Sequence, residues 1–466
     1  MLIIEMPAGR HAERDYVLGT LLGEFLGLRW RRVVSDALQT RIALEGSDRR
    51  LILPDILLAI ENDLWLTPRS MPARPLDSWD AGAALPEAVL VSPNLPVIYG
   101  DARIKFALSG TEIRLPIDIF GSAFFMLTRY EEVASPVEDL HGRFPGSESL
   151  AHREGFLRRP IVNEYVEVLW SAMKRLWPSL KRKVRQATSF VTCDVDEPYL
   201  ASSRSFKTLL RQAGGDVLKR RNLVSASRRA LGYAGARLGT YRWDPANTFD
   251  WMMDVNERAG NAMAFYFIAD KTVPGLDGSA EIQDPFVLSL MGRIHERGHE
   301  IGLHGSYETY LDEGQLQREL GLLRSAMTRA AVEQADIGTR QHFLRWRTPI
   351  TARALNNTGL TYDTTLGYAD SPGFRCGTCY SFHLFDLATS ETLTLQERPL
   401  IAMESSVISD QYQGLGYGQK AKQLLNDLKY RSLKFNGEFV LLWHNSHFLT
   451  AEDHKLYLGS LEPNRS

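Results

Sequence analysis

Ala187-Thr188-Ser189-Phe190-Val191-Thr192-Cys193-Asp194-Val195-Asp196-Glu197-Pro198 is the stretch on which the reading of the chain turns. Residues 188–193 are rich in β-branched and aromatic types and predict a buried strand. Glu197-Pro198 stops it. Alternation along a strand points Asp194 and Asp196 to the same side. Two carboxylates side by side repel, so the pairing is tolerated if a cation sits beside them or one holds a proton. The ordinary alternative is a solvated strand-end turn, where Asp is common.

Downstream, residues 204–242 carry Arg204, Lys207, Arg211, Lys219, Arg220, Arg221, Arg228, Arg229, Arg237 and Arg242 against one acid, Asp216. Leu and Val are interspersed. That pattern predicts a basic amphipathic helical insertion, at about 200–243, able to make peripheral contact with an anionic membrane leaflet. The alternative is a solvated basic face or a mobile arm. Regular alternation then resumes. Helices are expected at 244–259, opened by Asp244-Pro245, and at 284–297, 312–332 and 419–430. Strands are expected at 262–268, 300–303 (ending in His304), 341–344, 393–395, 400–403 and 439–443. Strands alternating with helices imply a parallel sheet, open or closed into a barrel, whose active site lies at the strands' C-terminal ends. Asp194, Asp196, His304 and His444 all fall at such ends. His342 falls inside its expected strand.

Upstream, 2–6, 40–44, 50–53 and 97–99 are strand-like and 14–26 is helical. Residues 117–132 are apolar on most faces and predict a buried helix. An amphipathic helix at 161–177 is followed by the basic run Lys181-Arg182-Lys183. A boundary near 182 divides the chain into an N-terminal α+β accessory domain, 1–182, and a second domain, 183–466. Arg129, Glu131 and Glu132 are expected in structural ion pairs. At 466 residues, with 44% hydrophobic and 24% charged residues, the chain can bury a large core. A formal net charge of −2 predicts no general attraction to nucleic acid. The first residues lack a basic-then-apolar secretory pattern, and no run of about 18 apolar residues exists. A cytoplasmic location is expected, with peripheral contact at the inner membrane face through 204–242.

Four elements occur in order: Asp194-Val195-Asp196-Glu197-Pro198, Gly298-His299-Glu300-Ile301-Gly302-Leu303-His304, Arg345-Trp346-Arg347-Thr348-Pro349 and Leu441-Leu442-Trp443-His444. Together they resemble the polysaccharide deacetylase superfamily (NodB-homology, carbohydrate esterase family four) over about 187–450. Residues 1–182 look like the uncharacterised N-terminal domain of a subgroup found in surface-polysaccharide loci. The resemblance implies an α/β fold, a distorted (β/α) barrel of about seven strands, and a divalent metal, zinc first. By the same resemblance Asp194 maps onto the general base, Asp196 and His304 onto metal ligands, and His444 onto the general acid. An arginine would hold Asp194 ionised; Arg340, Arg345 and Arg347 are the candidates, with Arg347 and Arg340 foremost. The family's second motif has a His four residues after the first. Here that position is Glu308, a candidate third ligand, with His342 as its rival or as a substrate contact. Asp363 and Arg375 are further substrate candidates, and Glu404 is as easily a turn residue.

Cys376-Gly377-Thr378-Cys379 has no second pair to complete a zinc site and reads as structural. His299 is expected beneath the sheet, and His447 at the surface, with a place in the pocket lining as the alternative. Hydrolysis of an N-acetyl or related acyl group from an amino sugar is the expected activity, on a nucleotide- or lipid-linked precursor of a surface polysaccharide (exopolysaccharide biosynthesis). The alternative is a non-catalytic glycan-binding or assembly protein on a degenerate barrel.

Overall fold

The structure is a computed structural model that describes residues 1–101, 106–108, 110–200, 205–218, 221 and 223–462. Arg204, Lys219 and Arg220 of the basic segment lie outside the described residues. The N-terminal strands are β1 (Leu2–Met6), β2 (Trp30–Val34), β3 (Gln39–Leu44), β4 (Arg50–Pro54), β5 (Asp77–Asp80), β6 (Asn94–Val97), β7 (Ala107–Leu108) and β8 (Glu112–Arg114). Six of them form one sheet in the order β2-β1-β3-β4-β8-β7, while β5 and β6 form a separate pair. The apolar stretch predicted as one helix over 117–132 is two, Ile119–Leu127 and Tyr130–Ala134. Arg129 breaks it in the left-handed region, φ 54°. A non-glycine residue there is uncommon, and its guanidinium explains the break. It is buried among Glu131 (2.6 Å), Glu132 (3.0 Å) and the Tyr368 hydroxyl (2.8 Å).

The second sheet has nine strands, where about seven were expected. These are β9 (Thr188–Val195), β10 (Met263–Ile268), β11 (Glu300–Gly305), β12 (Gly338–Gln341), β13 (Tyr362–Asp363), β14 (Phe382–Asp386), β15 (Glu391–Glu397), β16 (Ala402–Met403) and β17 (Glu438–Leu442). Their order is β14-β15-β13-β12-β11-β10-β9-β17-β16, parallel throughout except for the hairpin of β14 with β15. The strands expected at 393–395 and 400–403 are β15 and β16; the two beyond the expected set are the two-residue β13, too short to announce itself by alternation, and β14, the other arm of that hairpin. Between Asp244 and Ala259 the helix starts late, at Phe249. Asp244 instead caps a turn, accepting from the Ala246 amide at 2.9 Å. The strand expected at 341–344 stops at Gln341 and passes into a 3-10 turn, with Phe343 and Leu344 at φ 61° and 56°.

The sheet curls around its own small core. Phe190, Ala264, Tyr266, Tyr362, Leu400, Val440 and Leu442 pack together there, apart from the main core outside the sheet. The connection after β15 spans the gap between the two sides. The Arg398 amide donates to the Asp363 carbonyl (2.9 Å) and the Ile401 amide to the Val440 carbonyl (3.1 Å). Arg398 also pairs with Glu438 at 2.8 Å. Register then sets what reaches the top of this cylinder. Val195 pairs with Phe267, so Asp196 falls level with Ile268. Ile268 pairs with His304, and His304 with Arg340. Residues paired in register share a face, so Asp194, Asp196, His304 and Arg340 all point inward.

Room for the interior rings comes from glycine. A Cβ on Gly302 would overlap the Tyr266 ring, and one on Gly338 the Tyr362 ring. Gly302→Ala should therefore lower stability by about 1–3 kcal/mol or more through overpacking, measured as a lower denaturant midpoint. Gly314→Ala, whose added methyl would meet nothing closer than 3.4 Å, should leave it within about 0.5 kcal/mol.

Candidate active site

A pocket of about 330 Å³ opens at the C-terminal ends of the strands. Asp194, Asp196, His304, His342, His444 and His447 line it, with Arg143, Phe343 and Tyr412 among its other walls. The sequence pattern led to most of these residues, and the structure sorts them into three groups.

The first is Asp194 with Arg340. Both are buried, and Arg340 Nη1 donates to Asp194 Oδ1 at 3.0 Å. Arg340 also donates to the Thr192 hydroxyl (2.6 Å) and the Thr364 carbonyl (3.1 Å), and its guanidinium lies 5.2 Å from the Tyr266 ring centre. A guanidinium so fixed orients the Asp194 carboxylate and leaves Oδ2 facing the pocket, 3.6 Å from His304 Nε2. Arg347, the other foremost candidate, is not brought here. It pairs with Glu138 in a surface loop. Arg345 bonds the His141 carbonyl (2.7 Å) and the Tyr310 hydroxyl (2.7 Å).

The second group is Asp196, His304 and His342. One ligand atom from each lies within 4.8 Å of the others. Asp196 Oδ1 is 3.2 Å from His304 Nε2 and 3.6 Å from His342 Nε2. The far nitrogen of each ring is fixed. His304 Nδ1 donates to the Arg340 carbonyl at 2.8 Å, since a carbonyl only accepts. His342 Nδ1 meets Asp277 Oδ1 at 2.9 Å. Asp277 is buried; His342 and the amides of Val273 and Tyr307 outweigh that burial and hold its carboxyl down, at about 2. It is thus an acceptor, and His342 donates. In the neutral rings both Nε2 atoms therefore present lone pairs to a carboxylate oxygen, which a cation or a proton must answer. His304 Nε2 and Asp196 Oδ1 are buried with no hydrogen-bond partner. Lone pairs facing one another in the interior are costly unless a cation lies between them. Two imidazoles held by outer partners and one carboxylate suit a divalent ion with open positions. The neighbouring imidazoles, His342 foremost, outweigh burial and keep the Asp196 carboxyl well below the usual range. Burial works against charge on His304, yet Asp194 and Asp196 outweigh it and raise its pKa.

Glu308 does not join this group. Its half-exposed carboxylate pairs with Arg345 at 3.2 Å. The turn after β11 carries it away, and His342 from the neighbouring strand's end occupies the third position. Asp277 was not singled out in the sequence; it sits in a loop with no local signal.

The third group is His444 with Glu404 and His447. Glu404 is fully buried, and its Oε1 accepts from His444 Nδ1 (2.5 Å) and His447 Nδ1 (2.7 Å). His444 Nε2 faces the pocket, 3.7 Å from Asp196 Oδ2. Burial alone would lower the His444 pKa; the Glu404 carboxylate outweighs it and pushes it up to about 10. These three could also hold an ion by spacing, but protons on the two Nδ1 atoms already answer Glu404.

The remaining candidates lie elsewhere. Asp363 is buried and bonded to Thr365 (2.7 Å) beneath the pocket. Arg375 is buried in an ion pair with Glu132 (2.8 Å). His299 accepts from the Met263 amide at 3.1 Å, below the sheet. The N-terminal region enters the site through Arg143, which donates to the Phe343 carbonyl (2.9 Å) and is held by Asp139 (2.8 Å).

Residues 2–178 match a family of unknown function, DUF7033. No curated protein matches the chain. Among solved structures, a candidate polysaccharide deacetylase from Mycobacterium smegmatis is similar at 19% identity and a TM-score of 0.36, covering 59% of this chain and 83% of its own. The functional reading rests on the side chains of the site.

Arg340→Met should cost about 3–5 kcal/mol by leaving the Asp194 charge buried and unpaired, and Asp194→Asn in the same chain should recover part of that, by chemical denaturation. Elemental analysis should find about one divalent ion per chain, lost in Asp196→Ala and His342→Ala and kept in Glu308→Ala.

Proposed function

We propose that this chain is a metal-dependent hydrolase that removes an N-acetyl or related acyl group from an amino sugar. One observation carries this reading: a braced carboxylate, a three-residue metal group and a carboxylate-backed imidazole meet in one pocket. The order of motifs resembling the polysaccharide deacetylases points the same way. A divalent ion held by Asp196, His304 and His342, zinc by the nature of its donors, would polarise the acyl oxygen and acidify a bound water.

The chain's own residues complete the reaction. Asp194, braced by Arg340, takes the proton of the attacking water through Oδ2. His444 holds a proton on Nε2 and gives it to the departing amine. Glu404 keeps the Nδ1 proton in place, so the ring stays in the useful tautomer. A pocket of about 330 Å³ suits one sugar unit better than a chain of them. Phe343 and Tyr412 offer flat walls for a sugar ring. A nucleotide- or lipid-linked precursor of a surface polysaccharide fits that size. The non-catalytic alternative drew its motive from Glu308, which lies away from the metal group.

Acetate release from UDP-N-acetylglucosamine and from N-acetylglucosamine oligomers tests the proposal. Asp194→Asn and His444→Ala should each lower kcat at least about 100-fold with the metal retained. Undiminished turnover by chelator-stripped protein would overturn it. Because the His444 pKa is raised, its proton is present below about pH 10 and lost above. Activity should hold through neutral pH and fall near about 10. Glu404→Gln should move that limb toward the ordinary histidine range.

A further inference from the structure

The paired helices Phe206–Leu218 and Leu223–Arg237 carry a surface that the site does not use. They pack on each other. Between them Asp216, the segment's one acid, is buried and bound to Arg229 (2.8 Å) and the Ser225 hydroxyl (2.8 Å). The outward faces are apolar where a solvated helix would be polar. In the first helix Phe206, Leu210 and Val217 are exposed. At about 100° per residue they fall within roughly 40° of one another. In the second, Leu223, Val224 and Leu231 are exposed, with Leu238 just beyond. These form one stripe, flanked on one side by Arg228 and on the other by Arg237. Lys207, Arg211, Arg221, Arg228, Arg237 and Arg242 are all exposed. The chain as a whole carries −2, so this positive charge is segregated rather than general.

We infer that these two helices dock on an anionic lipid surface. Exposed leucines bordered by arginines match a bilayer interface, where the apolar stripe enters the acyl boundary and the cations meet lipid phosphates. A protein partner would have to supply an acidic rim around an apolar groove; a leaflet supplies both everywhere. Position supports the assignment. The helices follow directly on β9, whose C-terminal end carries Asp194 and Asp196. Arg228 donates to the carbonyl of Leu449, two residues beyond His447 of the pocket wall (3.4 Å). The docking surface thus borders the end of the sheet on which the pocket opens.

The test is flotation of the full chain with vesicles of phosphatidylcholine and phosphatidylglycerol in equal parts, against phosphatidylcholine alone. Recovery is expected with the anionic vesicles only, and it should weaken as salt is raised. Arg211→Gln and Arg228→Gln should each lower partitioning about fivefold, and Leu210→Glu with Leu231→Glu should abolish it, with an unchanged thermal midpoint. Equal recovery with neutral vesicles, no recovery, or variants that float like the parent would each overturn the inference. So would a dimer in solution that Leu231→Glu makes monomeric, which would give the stripe to a second copy. None of these readouts depends on catalysis, so the inference stands or falls apart from the proposed reaction.

Discussion

A single buried arginine sits where the cylinder's apolar interior gives way to its polar mouth. Below Arg340 the inward positions hold Phe190, Tyr266 and Tyr362; above it they hold carboxylates and imidazoles. Its guanidinium braces Asp194 from beneath, and its carbonyl fixes the tautomer of His304. One residue therefore sets both a carboxylate and an imidazole of the pocket. A charge so deep is costly without a partner, and the partner's fixed orientation is the useful by-product. Asp277 does for His342 what that carbonyl does for His304, and Glu404 does it for His444. Each imidazole has one nitrogen committed to the protein and one left for chemistry.

Period-two alternation made part of this legible in the sequence. Asp194 and Asp196 share a face because they are two apart in a strand, and His304 ends the next one but one. The same parity would have chosen Arg340 and His342 together, two residues apart at the end of β12. A strand drawn over 341–344 hid that, because positive φ at Phe343 and Leu344 ends β12 early and no local residue type announces it. Glu308 was favoured by its spacing from His304. Spacing along the chain says nothing of the direction in which a turn leaves the sheet, and Arg345 draws that carboxylate aside. Glu404 was ambiguous as a strand-end acid and Asp277 silent in a loop. Outer partners of this kind depend on contacts between segments 40 and 65 residues apart.

The N-terminal region is tied to the nine-stranded sheet by buried charge as well as by apolar packing. Arg129 donates to the carbonyl of Arg375, and Arg375 pairs with Glu132 in return. Asp370 accepts from the amides of Gly146 (2.9 Å) and Ser147 (3.1 Å). These bonds hold the loop that brings Arg143 to the pocket wall. The first region is thus a wall of the site.

The packing of β14 has a consequence for biosynthesis. Phe385 lies 4.8 Å from the Tyr16 ring and 5.5 Å from Phe124, and Tyr380 lies 5.0 Å from Phe25, by ring centres. The first region's core is therefore finished by residues made some 200 positions later. At about 5–20 residues per second, the ribosome delivers them roughly 10–40 s after the helix Ile161–Leu176 has emerged. Through that interval the Tyr16, Phe25 and Phe124 rings of the nascent chain lack the residues that cover them, so the first region completes its core only after Tyr380 and Phe385 have been made.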